Sequence, residues 1–224
     1  MIDGLDIVRH AAARRMKLSV DPRSGRVRLV LPPRASLKAA LDWAEAHRGW
    51  VERQRARLPE PWPIVPGMIV PFQGEDHELD WQEGHKRTPK IVDGRIEIGG
   101  PIDLLSSRLL RWLRTAAKEV LEADTRDLAT AHDIMIGTVS VGDPKARWGS
   151  CSSSGDIRYS WRLILAPAYV RKATVAHEVA HRIHMDHSRA FHRLAADLYG
   201  GDPSPARDWL RRHGARLYWF GRDG

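Results

Sequence analysis

Residues 177–187 read His-Glu-Val-Ala-His-Arg-Ile-His-Met-Asp-His, and this run constrains the chain more than any other. His177 and His181 are four residues apart, so on a helix their rings stand on one face, about 6 Å from each other. Two neutral imidazoles placed this way converge on one ion, and nitrogen donors suit Zn2+. Glu178 stands one step round the helix. It is badly placed to join the same coordination, but it reaches a water bound there, which is the position of a general base in a zinc hydrolase. The flanking residues agree with a helix from about Ala168. Pro167 is preorganised for an early helical position, and Val175, Val179 and Ile183 repeat at i, i+4, i+8. Ala176 and Ala180 admit a close neighbour.

A catalytic zinc needs a third protein ligand and an open position. Five of the eleven histidines lie between residues 177 and 192. His184 continues the same helical face, but three ligands at i, i+4 and i+7 spread over about 10 Å at 1.5 Å per residue. His187 returns to the ion if the helix ends near Met185-Asp186 and the chain bends back, and Asp tolerates the left-handed conformation of such a bend. The expected ligands of a single Zn2+ are therefore His177, His181 and His187. His184 and His192 are left for packing or support. The same spacing occurs in metzincins, but their glycine position is His184 here, and no methionine follows Met185 to form a Met-turn.

Composition narrows the class further. The 224 residues are 42% hydrophobic and 29% charged, which fills one or two ordinary cores and excludes a disordered or collagen-like chain. A single cysteine, Cys151, excludes a disulfide scaffold and a Cys-rich zinc finger, and is read as a small apolar residue. No apolar run suffices for a membrane helix, and the opening MIDGLDIVRH lacks a secretory h-region, so a cytoplasmic protein with no membrane partner is expected. The net charge is +8, and residues 1–60 hold 13 basic against 7 acidic side chains. Such a surface attracts an anionic partner.

Patterning gives an α+β chain in two parts. Strands are expected at Leu5–Ala11, Arg15–Val20 and Arg26–Leu31, followed by one helix from the N-cap Ser36 to about Leu58 with Leu37, Leu41, Ala44 and Val51 on one face. Four prolines between Pro59 and Pro66 then break the chain. Further strands are expected at Met68–Phe72, His77–Trp81, Lys90–Val92 and Arg95–Ile98, the last two joined by the hairpin signal Asp93-Gly94. A long helix from about Ile102 to Asp133 carries the stripe Leu109, Leu113, Ala116, Val120. Then come a strand at Thr138–Val141, a Gly/Ser-rich loop over Arg147–Gly155 and a strand Ile157–Leu165 leading into the histidine helix. Helices over Ser188–Tyr199 and Ser204–Tyr218 complete the chain. The expected division is a strand-rich part over 1–100 with one helix at 36–58, and a catalytic part over 101–224.

Arg147-Trp148-Gly149-Ser150-Cys151-Ser152, then Ser160-Trp161-Arg162-Leu163-Ile164-Leu165-Ala166-Pro167, then HEVAH and Asp186-His187-Ser188 resemble the YgjP-like metal-dependent hydrolases, a zincin group related to SprT-like and WLM proteases. The similarity is dense over about 147–192. It is looser in Arg14–Val20 and in the 36–58 helix with Trp50, and weakest over 60–100. Asp186 and Ser160 stand where that family usually has asparagine. The resemblance implies a zincin-like α+β fold with its HExxH helix packed on a small sheet, zinc on His177, His181 and His187, and Glu178 as base.

Three activities follow. The first is a zinc metallopeptidase in which Glu178 activates a water on the metal and the peptide lies in a cleft. There the strand Ile157–Leu165 pairs with it, and Arg147, Trp148, Gly149, Ser150 and Arg162 contact it. The second is a nucleoside triphosphate pyrophosphatase of UTP type on the same metal, which the resemblance also implies. Its phosphates would be held by Arg147, Arg158, Arg162, Arg171, Arg182, Arg189 and Arg193, since arginine's planar fork suits phosphate. The third is a basic nucleic-acid-binding module with structural zinc. It leaves the glutamate of HExxH without a purpose, because structural sites are closed by four ligands.

Overall fold

In the computed structural model, which describes residues 2–222, the chain forms two α+β units that divide between Pro61 and Trp62. In the first, β1 (Leu5–Arg9), β2 (Lys17–Val20) and β3 (Val27–Leu31) form a sheet of order β1-β3-β2. Val27, Leu29 and Leu31 alternate inward and are fully buried. The turn before β3 is held by the Asp21 carboxylate, which accepts from the Arg23 N–H and the Ser24 hydroxyl. Ser36 caps the following helix by accepting from the Ala39 N–H. The single helix expected over 36–58 is two, α1 (Leu37–Ala46) and α2 (Arg48–Arg55), broken at His47. The His47 ring turns back to the Trp43 carbonyl at 2.7 Å. Ala40, Ala44 and Val51 keep one buried face across the break, whereas Leu37, expected on it, is exposed.

The second unit begins with a sheet of order β4-β5-β7-β6: β4 (Ile69–Phe72), β5 (Glu75–Trp81), β6 (Lys90–Val92) and β7 (Arg95–Ile98). Asp93 and Gly94 both have positive φ, as the tight turn between β6 and β7 requires. A 3-10 turn, Ile102–Leu104, leads into α3 (Leu105–Ala131), whose buried stripe runs at a strict spacing of four: Leu105, Leu109, Leu113, Ala117, Leu121, Thr125 and Ala129. Ala116 and Val120 flank this stripe. Val70, Leu79, Ile96 and Ile98 share one core with Leu109 and Leu113. That shared core moves the expected boundary at residue 100 back to Pro61, because the middle sheet packs with the helices that follow it.

The third sheet, of order β8-β10-β9, holds β8 (Val139–Gly142), β9 (Gly149–Cys151) and β10 (Ile157–Ser160). Part of the expected 147–155 loop is thus a strand, antiparallel to β10. The strand expected to reach Leu165 stops at Ser160, whose side chain accepts from the Arg162 N–H and turns the chain into a buried 3-10 segment, Trp161–Leu165. Then follow α4 (Ala168–Ala180), α5 (Arg189–Tyr199) and α6 (Ser204–Leu217). Pro167 caps α4. Ser188 caps α5 by accepting from the Phe191 N–H, and Gly200 ends it at φ 79°. Helix α4 lies among α3, α5, α6 and β9, which is why nine of its residues are buried. Among the described residues no helix is long and apolar enough to cross a membrane.

Candidate metal centre

Helix α4 ends at Ala180, earlier than the expected end near Met185-Asp186. The N–H groups of Ile183 and His184 both return to the Ala180 carbonyl, at 3.1 and 3.0 Å, which curls the chain away from the helix axis. The His181 ring takes part in this ending. Its Nδ1 lies 3.0 Å from the His184 carbonyl, and a carbonyl only accepts, so Nδ1 carries the hydrogen and Nε2 is left bare. Because the helix stops, Ile183 falls outside the Val175–Val179 row and is 57% exposed. The Asp186 carboxylate then accepts from the Ser188 N–H at 3.1 Å, and this turn carries His187 back over α4.

His177, His181 and His187 each offer a ring nitrogen, and these atoms lie within 4.8 Å of one another. The Nε2 atoms of His177 and His187 are 3.3 Å apart. Tetrahedral donors at about 2.0–2.1 Å from zinc stand about 3.3–3.4 Å from each other, so this spacing fits such an ion. The hydrogen bond from His181 to a backbone carbonyl fixes the orientation of this ring, as such bonds do for ligating imidazoles. His184 therefore contributes its carbonyl, and its ring stays outside the donor group. His192 is exposed, its ring centroid 6.2 Å from that of His187.

Phe191 carries all three rings. It is fully buried in the first turn of α5, with ring centroids 4.8, 4.5 and 4.8 Å from His177, His181 and His187. Sequence reasoning missed it. Its signal, an aromatic three residues after the capping Ser188, has meaning only once the loop before it is known to fold back.

The electrostatics favour neutral imidazoles. Burial, with the neighbouring histidines His181 and His187 adding to it, pushes His177 down to about 4, and burial also lowers His181. Glu178 is 4% exposed, and burial pushes its carboxyl up to about 7 against the opposing pull of the Arg147 guanidinium. Strand β9 crosses over this carboxyl. A Cβ on Gly149 would overlap the Oε1, Cγ and Cδ atoms of Glu178, so only glycine fits. The close approach expected of Gly149 is therefore made to Glu178 from within a strand.

A cavity of about 560 Å³ opens against His177 and Glu178, with Arg147, Trp148, Gly149 and Arg207 among its lining. Trp148 is half-buried, packed on Tyr218 at 5.3 Å and against Gly214, where no Cβ would fit. Ser150 sits on β9 in register with Arg158 and does not line the cavity. Arg162 does not line it either. It is buried, forks onto Asp143 at 2.9 and 3.1 Å, and lies over the Trp161 ring at 4.6 Å. Arg171 is likewise tied to Asp124 at 2.7 Å, and Arg182 donates to the Met135 carbonyl. Of the seven arginines the sequence brought forward, only Arg147 lines the cavity. Arg207 joins it from α6, where no local pattern marks it. Strand β10 is flanked on both sides by β8 and β9, so it offers no edge to a substrate; β9 offers one beside Glu178.

No curated protein and no solved structure matches the chain. The family model described as YgjP-like, metallopeptidase domain, matches residues 14–213, running through both units and across the middle sheet that carried the weakest resemblance. With its folded-back histidine triad and buried glutamate lying inside that match, the chain belongs to the YgjP-like family, as a metallopeptidase domain.

Proposed function

We propose that the chain is a zinc-dependent hydrolase of peptide bonds, with His177, His181 and His187 holding one Zn2+ and Glu178 acting as general base. The observation that carries this reading is the pairing of three convergent imidazole nitrogens with a buried, high-pKa carboxyl on the adjacent residue. When bound, zinc supplies Lewis acidity, polarising the scissile carbonyl and acidifying water. Glu178 takes the proton of the attacking water and hands it to the leaving amine. Its burial raises its affinity for that proton toward neutral pH, where base catalysis is most effective. The free edge of β9 pairs with an extended peptide by main-chain hydrogen bonds and lays it across Glu178.

A peptide substrate is favoured over a nucleoside triphosphate because Arg162, Arg171 and Arg182 are spent on Asp143, Asp124 and backbone carbonyls. The test is cleavage of a casein-like protein by the zinc-loaded chain. Glu178→Gln is expected to lower kcat by about 10²–10⁴ with zinc content unchanged. Undiminished cleavage in Glu178→Gln overturns the assignment. Pyrophosphate release from a nucleotide panel, lost in the same variant, transfers the site to the second reading.

A further inference from the structure

Asp80 on β5 and Glu97 on β7 are directly opposed in a parallel ladder, so both side chains leave the same face of the middle sheet. Like charges facing each other across strands are destabilising. Lys90 is opposite Glu97 on β6, yet no ion pair to Asp80 or Glu97 forms among the described residues. The loop after β5 returns over this pair. The Gln82 N–H donates to the Ile98 carbonyl at 3.2 Å, the Gly99 N–H donates to the Lys86 carbonyl at 2.9 Å, and the His85 carbonyl fills the space a Cβ of residue 99 would need. This seats His85 beside the two carboxylates. One ring nitrogen of His85 and one oxygen each of Asp80 and Glu97 lie within 4.8 Å of one another, and all three residues are half-buried. His85 Nδ1 is buried without a hydrogen-bond partner, a state that costs free energy unless something binds there.

We propose that Asp80, His85 and Glu97 form a second divalent-cation site, separate from the histidine triad, that takes a zinc-class ion and pins the 82–89 loop to the sheet. One imidazole with two carboxylates is a borderline-hard donor set, suited to Zn2+ or Mn2+ and poorly suited to soft ions. Two carboxylates balance the charge of one divalent ion, and the ion turns their repulsion into shared attraction. The three donors already lie within 4.8 Å of one another, and the about 3.3 Å that tetrahedral coordination needs is within reach of rotation about the side-chain bonds. Gln82, whose amide donates to Asp80 at 3.1 Å, orients one of the carboxylates.

The experiment is zinc stoichiometry by elemental analysis on the full chain after equilibration with zinc and removal of excess. The unaltered chain is expected to hold two equivalents, His177→Ala/His181→Ala one, and that variant with Asp80→Asn and His85→Ala added, none. A single equivalent in the unaltered chain with none in His177→Ala/His181→Ala, or one equivalent surviving in the quadruple variant, overturns the proposal. Should the quadruple variant fail to fold, Glu97→Gln in the His177→Ala/His181→Ala background decides, since it changes one carboxylate to an amide of equal size. Zinc is expected to raise the Tm of the double variant and to leave that of the Glu97→Gln triple variant unmoved; an equal rise in both overturns the site. Loss of the second equivalent does not depend on peptidase activity, so it is read separately from the proposed function.

Discussion

The backbone of Gly149 lies so close to the Glu178 carboxyl that a methyl group at residue 149 would share its space. Gly149→Ala must therefore push the carboxyl aside or lift β9. Peptide hydrolysis is expected to fall by about 10²-fold or more, because general base catalysis depends on geometry at the scale of one ångström. Zinc content is expected to stay at the level of the parent protein, since no histidine is touched. Kinetics and elemental analysis on the same preparation check this pair of outcomes.

Phe191 is the floor under three rings, and its removal leaves a cavity beneath them. Phe191→Ala is expected to cost about 3–5 kcal/mol in chelator-treated protein. Phe191→Leu should cost less. Urea denaturation with and without zinc separates lost packing from lost ion affinity. The alanine variant should also show a smaller zinc-induced rise in midpoint than the parent.

In chelated protein, Glu178 and His177 pull the pH dependence of stability in opposite directions. The Glu178 pKa is raised from 4.5 to about 7 by burial. Its contribution is full below 4.5 and is lost as pH rises through 7. The His177 pKa is lowered from 6.5 to about 4, again by burial first. Its contribution is present above 6.5 and is lost as pH falls through 4. The two trends overlap and largely cancel. Glu178→Gln is expected to unmask a loss of stability on acidification between pH 6.5 and 4. His177→Gln should leave a decline between pH 4.5 and 7, each of no more than about 3 kcal/mol. Thermal melts across pH 4–8 in chelator read this directly; parallel curves for the two variants would contradict it.

Arg162 lies outside the cavity lining, and its bonds hold structure together. Its fork onto Asp143 and its bond to the Leu217 carbonyl tie the 3-10 segment before α4 to the end of α6. Arg162→Ala is expected to lower stability by about 2–3 kcal/mol, moderated because Asp143 is partly exposed to water. KM for a peptide should not change in protein that remains folded. Arg162→Lys keeps the charge but loses the fork, and should fall between the two.

His184 acts through its carbonyl, so His184→Ala should keep zinc. His187→Ala should lose it. His184→Pro is expected to disturb the turn that seats His181. Elemental analysis of the three variants distinguishes a role for the backbone from a role for the ring.

The convergence of His177, His181 and His187 was legible because HExxH places two imidazoles on one helix face, and because a third histidine ten residues after the first returns only through a bend. What the sequence concealed was where local hydrogen bonds cut the regular elements short. Ser160 accepting from Arg162 ends a strand five residues early, and the ring of His47 divides a helix whose apolar pattern runs on without a gap. The three residues of β9 are too few to show alternation, and Gly149 looked like a loop glycine until its neighbour Glu178 was in view. Arg162 illustrates the opposite case. Its charge suggested a ligand, but burial with Asp143 is invisible in a sequence that separates the two by nineteen positions. The boundary at Pro61 was hidden because the proline-rich stretch looks like a joint along its whole length, and only the sharing of a core assigns the sheet after it.

The hydrogen bond from the His181 ring to the His184 carbonyl has a consequence for ion capture. A free imidazole divides its time between two tautomers, and a metal must wait for the right one. Here the choice is made as the polypeptide folds. An ion entering the triad would meet a bare Nε2 on His181, and no proton would have to be expelled from that ring. Unwinding α4 at its last turn would undo both arrangements at once, so a grip on an ion there would rise and fall with the length of the helix.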